Sequence, residues 1–269
     1  MRLPPNSRDI ERWYPQYWRE IAGNSEMIQE WLDFIVHGGC NTLSTGPSRS
    51  GKTRTISLGV KALLCPNRTS DLDPCGTCSS CHAVDEARDS HIGLFSAVSG
   101  SKYSFVPIDC HNISKDELKK ILNESVLESV DTVVYLDEVA GLGQRGLENM
   151  LLKSIDERPC IWIASAITVA KPVSWGRTRQ TAGLSAPMQG RFATKVGTSL
   201  PGTEELRSWI IDRCLDWQIE IVDPDRTVPR LIKRTGHRVG FVIHVLAKAV
   251  QRRRLYLDMV DGFNFSPED

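Results

Sequence analysis

The fold is decided by Gly46-Pro47-Ser48-Arg49-Ser50-Gly51-Lys52-Thr53, which fits the phosphate-loop pattern G-x-x-x-x-G-K-[ST] at every fixed position. In this pattern, backbone N–H groups surround a polyphosphate, the lysine reaches the β- and γ-phosphates, and the hydroxyl binds Mg²⁺. Lys52 and Thr53 are the candidates for these roles. The loop requires a strand before it and a helix after it, since the positive end of the helix dipole adds to the anion site. A chance octamer is the alternative when this stretch is taken alone.

The segments on either side of the loop meet this requirement unequally. Residues 56–64 have an apolar pattern that is compatible with a helix. Residues 41–45 read Asn-Thr-Leu-Ser-Thr, which is more polar than a buried parallel strand usually is. The strand before the loop is therefore the weakest part of the match.

A second motif supplies the other half of a nucleotide site. Residues 132–138 read Thr-Val-Val-Tyr-Leu-Asp-Glu, an apolar β-run that ends in two carboxylates. A buried central strand delivers such acids to its C-terminal edge. In phosphate-loop ATPases the first acid holds Mg²⁺ and the second activates the attacking water, so these roles are predicted for Asp137 and Glu138. A strand ending in Asp-Glu at a solvated loop is the weaker alternative, because the phosphate loop lies upstream.

Length and composition fit one large domain or two of ordinary size. The chain has 269 residues, of which 41% are apolar and 25% are charged, as is typical of soluble globular proteins. The net charge is zero, so a DNA contact would have to come from a local patch or from an assembled ring. Since no apolar run approaches the ~20 residues that span a bilayer and the N-terminus does not begin a signal peptide, we expect a cytoplasmic protein without a membrane partner.

Half of the eight cysteines lie close together, namely Cys65, Cys75, Cys78 and Cys81. Four thiolates at this spacing can close a tetrahedral Zn²⁺ site, which is structural because it leaves no open position. His82 follows directly and is a substitute ligand to consider. The alternatives are fortuitous clustering and a redox C-x-x-C pair, which would need a thioredoxin-like context. The remaining cysteines are interpreted as small buried hydrophobes: Cys40, Cys110, Cys160 and Cys214.

Strand and helix patterns alternate after the loop. Strands are predicted at residues 106–109, 132–138 and 160–166. Helices are predicted between them, the first of which opens with a capping box at Ser114 and Glu117. This alternation predicts a parallel, doubly wound α/β sheet.

The stretch at residues 171–187 is rich in Ser, Gly, Thr, Arg and Pro without periodicity and predicts an exposed loop. The basic side chains of this stretch are candidates for contact with DNA: Lys171, Arg177 and Arg179. An ordinary solvated insertion is the favoured interpretation. From residue 203 the pattern becomes helical, with three amphipathic helices predicted at residues 204–217, 227–234 and 239–256. The predicted organisation is an α/β domain at 1–200 with a zinc module at 65–82, a helical domain at 201–262 and a tail at 263–269.

Together these motifs resemble an AAA+ ATPase, specifically a clamp-loader ATPase of the bacterial DNA polymerase III gamma/tau type. The cysteine module directly after the loop's helix is typical of that family. The sequence VYLDEV at 134–139, followed by LENMLLKSIDERP at 147–159, is similar to the family's acidic strand and its "NALLKTLEEPP" helix. The sequence TGHR at 235–238 is similar to the family's "G-x-x-R" sensor segment. The resemblance covers roughly residues 15–262.

The resemblance implies a P-loop AAA+ parallel-sheet core with an inserted zinc module and a small C-terminal helical lid. Ser165 would be the sensor 1 residue near the γ-phosphate, and Arg238 the sensor 2 arginine. Arg191 occupies the place of the arginine in the family's Ser-Arg-Cys motif, a finger worth ~10³–10⁵ in rate when it reaches a neighbouring subunit. The nucleotide-binding residues would be Gly46, Pro47, Ser48, Arg49, Ser50, Gly51, Lys52, Thr53 and Arg54.

The sequence departs from the family at several points. Gly190 and Phe192 flank Arg191 in place of Ser and Cys, and Ser165 replaces a Thr or Asn. The given sequence ends just after the lid, whereas clamp-loader subunits continue into a helical collar. Ring assembly is therefore expected to rest on AAA+ surfaces or on another chain.

The implied function is Mg²⁺-dependent ATP hydrolysis that drives or switches assembly of a DNA-replication complex on DNA, with ATP, Mg²⁺ and Zn²⁺ as cofactors. Expected partners are other AAA+ subunits in a ring or hetero-oligomer, a sliding clamp and primed DNA. One alternative is a delta-prime-like or regulatory AAA+ subunit with little activity alone. Another is an AAA+ switch in a different DNA process, such as a phage or mobile-element factor. Identification of the protein's partner would distinguish these hypotheses.

Overall fold

Strands and helices alternate along the chain in the computed structural model, which describes residues 5–89, 104–173, 176–181, 184–263 and 265. The strands are β1 Thr42–Gly46, β2 Ser104–Asp109, β3 Thr132–Asp137, β4 Ile161–Val173, β5 Gly176–Thr181, β6 Thr194–Gly197, β7 Glu220–Ile221 and β8 Arg254–Leu255. The helices are α1 Ser7–Glu11, α2 Ser25–Val36, α3 Lys52–Leu64, α4 Ser79–Asp89, α5 Lys115–Leu122, α6 Ala140–Gln144, α7 Glu148–Glu157, α8 Ala186–Gln189, α9 Thr203–Asp216, α10 Pro224–Thr235, α11 Val239–Arg252 and α12 Leu257–Asp261. Two 3-10 turns lie at Trp18–Glu20 and Ser125–Glu128.

The chain divides into two compact units, each with its own hydrophobic core. The α/β unit consists of Glu26–Pro47 and Lys52–Thr198. The helical unit consists of Met1–Ser25, Ser48–Gly51 and Ser199–Asp269. Four residues of the phosphate loop thus group with the helical unit, while the rest of the loop groups with the sheet.

A parallel sheet in the order β2-β3-β4-β1-β6 forms the centre of the α/β unit. Leu136 of β3 pairs with Ala164 of β4, and Ser44 of β1 pairs with Ser165 of β4. The C-terminal ends of β1 and β3 therefore lie at one edge, on either side of Ser165 in β4. This arrangement confirms the parallel α/β sheet expected from the alternating pattern, and it places the phosphate loop and the acid pair at the same edge.

The polar strand before the loop is central, because β1 lies between β4 and β6. Its Leu43 is fully buried, and the buried Thr42 hydroxyl donates to Cys40 O at 2.9 Å. A hydroxyl that bonds to a neighbouring carbonyl can be buried at little cost. This bond explains how Thr42 is accommodated in the middle of a parallel sheet, whereas Ser44 Oγ on the same strand is buried without a hydrogen-bond partner among the described residues.

The segment at residues 171–187, expected as an exposed loop, is largely a β-hairpin, so that prediction is wrong. β4 continues to Val173 and pairs antiparallel with β5, from Thr168↔Thr181 to Val173↔Gly176. α8 follows at Ala186–Gln189, with its N-terminus capped by the Ser185 side chain. The polar sequence of β5, Gly-Arg-Thr-Arg-Gln-Thr, hid the hairpin because it lacks the alternation of apolar residues by which a strand is recognised.

Helix α2 packs against the helix that follows the loop through a glycine. A Cβ added at Gly59 would lie 2.6 Å from Cε3 of Trp31, which is itself fully buried. Real Cβ atoms do not approach this closely, so an indole ring of this size needs glycine opposite it. Gly59 thereby sets how closely α2 approaches α3.

The helical unit is built from α9, α10 and α11 with the short α12, and α1 packs on α11. Trp13 packs edge-on against Trp209 and Trp217, with ring centroids 6.0 and 5.7 Å apart. The third predicted helix ends at Arg252 instead of residue 256, because Arg253 adopts a left-handed conformation with φ 54°. The chain then forms β8, which pairs with β7.

Within the described part of the chain, every helix is too short or too polar to cross a lipid bilayer.

Candidate nucleotide-binding site and metal centre

The C-terminal end of β1 leads into the phosphate loop, and α3 begins at Lys52. The Lys52 ammonium group donates to Gly46 O at 3.0 Å and to Pro47 O at 2.7 Å. Carbonyl groups of the loop thus hold the lysine at the start of the helix, where the helix dipole also favours an anion. Thr53 and Arg54 follow in the first turn and are both half-buried.

Burial lowers the pKa of Lys52 to about 8, against the opposing effect of the negative charges of Glu138 and Asp137. The side chain is only 8% exposed. A buried cation that lacks a full counter-charge favours an anionic ligand, because the ligand's charge offsets part of the desolvation. The charge environment of Lys52 therefore suits a phosphate group.

The tip of the phosphate loop, Ser48–Gly51, contacts the start of α11 inside the helical unit. The Gly240 N–H donates to Arg49 O at 3.1 Å, and the Arg49 guanidinium lies 4.9 Å from the centre of the Phe241 ring. Ser50 Oγ is buried and has no hydrogen-bond partner among the described residues. An orphaned buried hydroxyl in a loop of this kind fits a site that is completed by a ligand.

The two carboxylates at the end of β3 are held differently. Asp137 is half-buried and accepts a hydrogen bond from Ser165 Oγ at 2.7 Å. Glu138 is exposed and has a left-handed backbone with φ 52°, which turns its side chain away from the line of the strand. Its N–H donates to Ser165 Oγ at 2.8 Å. The structure thus brings a fixed acid and an accessible acid together at the sheet edge.

The hydroxyl of Ser165 makes two hydrogen bonds in this arrangement. It donates its one proton to Asp137 and accepts the Glu138 N–H, and the residue is 1% exposed. The position predicted for sensor 1 therefore lies against both acids.

Tyr135 completes the site and was not identified from the sequence. It lies two residues before Asp137 on β3, so both side chains are on the same face of the sheet. Its hydroxyl donates to Asp137 Oδ1 at 2.6 Å, and the oxygen lies 3.5 Å from Thr53 Oγ1. Burial, together with the negative charge of Asp137, raises the pKa of Tyr135 well above its usual value, so the phenol keeps its proton. The signal in the sequence was a hydroxyl-bearing side chain two positions before an acid on a mostly apolar strand.

The oxygen ligands predicted for magnesium, Thr53 and Asp137, both lie beside the Tyr135 hydroxyl. Hydroxyl and carboxylate oxygens are the donor atoms that Mg²⁺ takes in proteins, with water and phosphate completing its shell. These residues therefore fit a magnesium ion that accompanies a bound phosphate.

Arg191 is bound inside its own chain. Its guanidinium forms an ion pair with Asp156 at 2.7 Å and donates to Leu152 O at 3.1 Å and to Pro187 O at 2.8 Å. The flanking Phe192 is 3% exposed and belongs to the core. Arg191 thus ties the segment after α8 to the C-terminal half of α7.

Arg238 lies in the helical unit as the N-cap residue of α11. Its guanidinium is 5.9 Å from the centre of the Phe241 ring, the same ring that Arg49 contacts. Phe241 is therefore the common neighbour of the predicted sensor 2 arginine and the tip of the phosphate loop.

The structure brings the four predicted cysteine ligands together. The sulfur atoms of Cys65, Cys75, Cys78 and Cys81 all lie within 4.8 Å of one another. The sulfurs of Cys65 and Cys78 are 3.8 Å apart, which is about the S–S distance of tetrahedral Zn–S coordination with bonds near 2.3 Å. Exposed His82 lies outside this cluster. The cluster is therefore consistent with zinc.

The thiols of the cluster have unequal acidities. Although burial acts in the opposite direction, hydrogen bonds from the backbone N–H groups of Thr77 and Cys78 bring the pKa of Cys75 down to about 6. Burial raises the pKa of Cys65 and of Cys81. A divalent cation would favour the thiolate form of all four sulfurs, as zinc does in structural sites.

The cysteine module is attached to the helix of the phosphate loop by several contacts, among them hydrogen bonds from Arg68 to Ala62 O and Leu63 O at 3.1 and 3.0 Å. Cys65 directly follows the last residue of α3, and the ammonium group of Lys61 forms an ion pair with Asp85 of α4 at 2.7 Å. Lys61 is only 2% exposed. The module thereby stabilises the C-terminal half of α3.

Residues 39–169 match the family described as DNA polymerase III, delta subunit. This part of the chain is similar to a clamp-loader domain of the delta-subunit type. It contains the phosphate loop, the cysteine module, the acid pair and Ser165. Together with the fold, it confirms the clamp-loader AAA+ resemblance that the sequence motifs indicated.

A relative and several solved structures share this domain or its fold. Protein STICHEL-like 4 of Arabidopsis thaliana is 25% identical over 173 residues, which is 59% of this chain and 18% of the plant protein. RuvB of Thermotoga maritima, the Holliday junction branch migration motor, matches with a TM-score of 0.56 and 16% identity over 93% of this chain and 71% of its own. A single-substitution variant of that RuvB matches with a TM-score of 0.57 and 17% identity over 92% of this chain and 71% of its own. The chain therefore has a RuvB-like AAA+ fold, with the four-cysteine cluster and the C-terminal helices.

Proposed function

We propose that the protein is a clamp-loader-like ATPase that binds ATP with Mg²⁺ and hydrolyses it to drive or switch assembly of a replication protein complex on DNA. The observation that carries this proposal is the convergence of Lys52, Thr53, Asp137 and Glu138 at one edge of the sheet, within a clamp-loader domain. The AAA+ fold suggests nucleotide binding, and many members of the clamp-loader family are ATPases.

Each residue has a defined task in this proposal. Lys52 and the backbone N–H groups of residues 46–54, except Pro47, bind the phosphates, and Thr53 and Asp137 provide oxygen ligands for Mg²⁺. Bound Mg²⁺ would neutralise charge that develops on the phosphate oxygens. Glu138 orients the attacking water and accepts its proton, for which its exposed carboxylate is suited.

Ser165 and Arg238 connect the nucleotide state to the rest of the protein in this proposal. Ser165 bonds to both Asp137 and the Glu138 N–H, so a shift of either acid on nucleotide binding displaces its hydroxyl. Arg238 begins α11, so an anion that draws it in moves the helix. Partner affinity would then follow the nucleotide state. The partners proposed from the family are other AAA+ subunits, a sliding clamp and primed DNA.

The test of nucleotide binding uses Lys52→Ala. We expect affinity for a fluorescent ATP analogue to fall roughly 10–100-fold, because a charge-assisted contact contributes about 1.5–3 kcal/mol. Lys153→Ala is the matched control, since the Lys153 side chain is 78% exposed and pairs only loosely with Glu157 at 3.8 Å. Steady-state ATPase activity, alone and with primed-template DNA, is measured on the same proteins. Equal nucleotide affinity in the wild type and the Lys52→Ala variant would refute the proposed site.

A second candidate function is a partner-dependent regulatory subunit, delta-prime-like or from a mobile element, with little activity alone. The observation that favours it is the engagement of Arg191 by Asp156 and two carbonyls. In this state the guanidinium does not extend toward another subunit. ATP binding without turnover, in protein that responds to no DNA, would support this candidate over the first.

We propose that Arg191 acts as an arginine finger only after its ion pair with Asp156 breaks. Asp156→Ala removes the ion pair, so we expect turnover at high protein concentration to rise about tenfold, a small part of the ~10³–10⁵ attributed to such fingers. Adding Arg191→Ala to that variant should abolish the gain while leaving nucleotide affinity unchanged. If the double variant keeps the gain, Arg191 is a structural tie and not a finger.

A further inference from the structure

Asp137 receives two hydrogen bonds on one oxygen. Tyr135 and Ser165 both donate to Oδ1, at 2.6 and 2.7 Å. A carboxylate oxygen accepts about two hydrogen bonds, so Oδ1 is saturated. Among the described residues, no hydrogen bond reaches Oδ2. Hydrogen bonds therefore fix the carboxylate through Oδ1 and leave Oδ2 available to a ligand.

The Tyr135 hydroxyl is suited to fix this orientation. The residue is 5% exposed, so water does not compete for the bond. Hydroxyl-to-carboxylate bonds of this length are charge-assisted and about twice as strong as neutral ones. The phenol oxygen also lies 3.5 Å from Thr53 Oγ1, so it links Asp137 to Thr53.

We propose that Tyr135 is a positioning residue for magnesium. It turns Asp137 so that Oδ2 alone faces the hydrated ion of the bound nucleotide, and it keeps the Thr53 hydroxyl beside that carboxylate. The inference rests on the proposed nucleotide site and adds a residue to it. Tyr135 itself makes no contact with the ion, so its effect is exerted through Asp137 and Thr53. Groups that orient metal ligands in this way commonly change metal affinity 10–100-fold when removed.

The test uses Tyr135→Phe, which removes the hydroxyl and keeps the ring that fills the core. Binding of a fluorescent ATP analogue is titrated against free Mg²⁺ and is also measured in EDTA. We expect the half-saturating Mg²⁺ concentration to rise roughly tenfold or more, while affinity in EDTA stays within about twofold of the wild type. A purely structural role would change both values together.

Thr132→Val is the matched control on the same strand. The Thr132 hydroxyl is buried and donates to Val126 O at 2.8 Å, away from the acid pair. This variant should keep the Mg²⁺ dependence of the wild type. Ser165→Ala removes the other donor to Oδ1, so it should raise the Mg²⁺ requirement in the same direction. It provides a second test if Tyr135→Phe folds poorly.

The outcomes separate the two proposals. If the wild type binds the nucleotide in a Mg²⁺-dependent way and both variants keep its Mg²⁺ requirement, the positioning role is refuted and the proposed function stands. An equal loss of affinity in Mg²⁺ and in EDTA also refutes the positioning role. If the wild type shows no Mg²⁺-dependent nucleotide binding, the proposed function fails and the role of Tyr135 fails with it.

Discussion

In the Glu138→Gln protein, ATP turnover is expected to fall by roughly 10²–10⁴-fold, the range that a positioned general base contributes. The substitution keeps the size of the side chain and can keep the left-handed backbone and the N–H bond to Ser165, which is 2.8 Å long. The substitution removes the negative charge of the side chain, and with it the ability to accept a proton from water. ATP affinity should therefore stay within about twofold of the wild type, because Lys52, Thr53 and Asp137 are unchanged.

The measurement is a steady-state ATPase assay together with a nucleotide-binding titration, performed under the condition that gives the highest wild-type turnover. Glu157→Gln is the control, since Glu157 is an exposed glutamate of α7 whose loose contact with Lys153 is 3.8 Å long. The control should keep full turnover. If Glu138→Gln kept full turnover, Glu138 would not be the general base, and another proton acceptor near Ser165 would have to take that role.

The second large effect is expected from zinc removal. Protein purified without chelators should contain one Zn²⁺ per chain, and Cys81→Ala should lose it, because Cys81 is a fully buried member of the four-sulfur cluster. Structural zinc binding is worth about 10–16 kcal/mol in small zinc modules at neutral pH. Much of the local order of the cysteine module should therefore depend on bound zinc. An ion pair such as that between Lys61 and Asp85 contributes far less than this.

Hydrogen exchange provides the readout, with metal content measured on the same samples. After chelation, we expect amide protection of α4 to fall strongly, while that of the central strand β3 changes less. Cys160→Ala is the control: Cys160 is 4% exposed and lies outside the cluster, so this variant should retain its zinc. The four-cysteine assignment would be defeated by less than one Zn²⁺ per chain in carefully prepared protein, or by unchanged exchange in α4 after chelation.

Much of the fold was predictable because its signals are local. The capping box at Ser114 and Glu117 is present as expected, with the N–H of Glu117 donating to the serine hydroxyl at 3.2 Å. The cysteine cluster was predictable as well, since three of its members lie within seven residues and the chain can bring them together by turns alone. Short-range spacing determines such features before any tertiary contact forms.

The hairpin of β4 and β5 was missed because its strands are defined by pairing and not by pattern. Its residues pair from Thr168↔Thr181 onward, and the polar strand β5 carries no alternating apolar signal. The polar strand β1 was doubtful for the same reason. It is stabilised by strands on both sides, which a reading of residues 41–45 alone does not reveal.

By itself, the sequence determined the chemistry of the site and the class of the fold, because the phosphate loop, the acid pair and the cysteines are each contiguous or closely spaced. Only the tertiary structure determined which groups the hydroxyls of Tyr135 and Ser165 form hydrogen bonds with. Tyr135 and Ser165 meet on Asp137 because β3 and β4 are neighbours in register, and Arg191 meets Asp156 because α7 and α8 pack together. Such contacts join residues some thirty positions apart, and hydrogen bonding needs ångström-scale proximity that spacing along the chain does not specify.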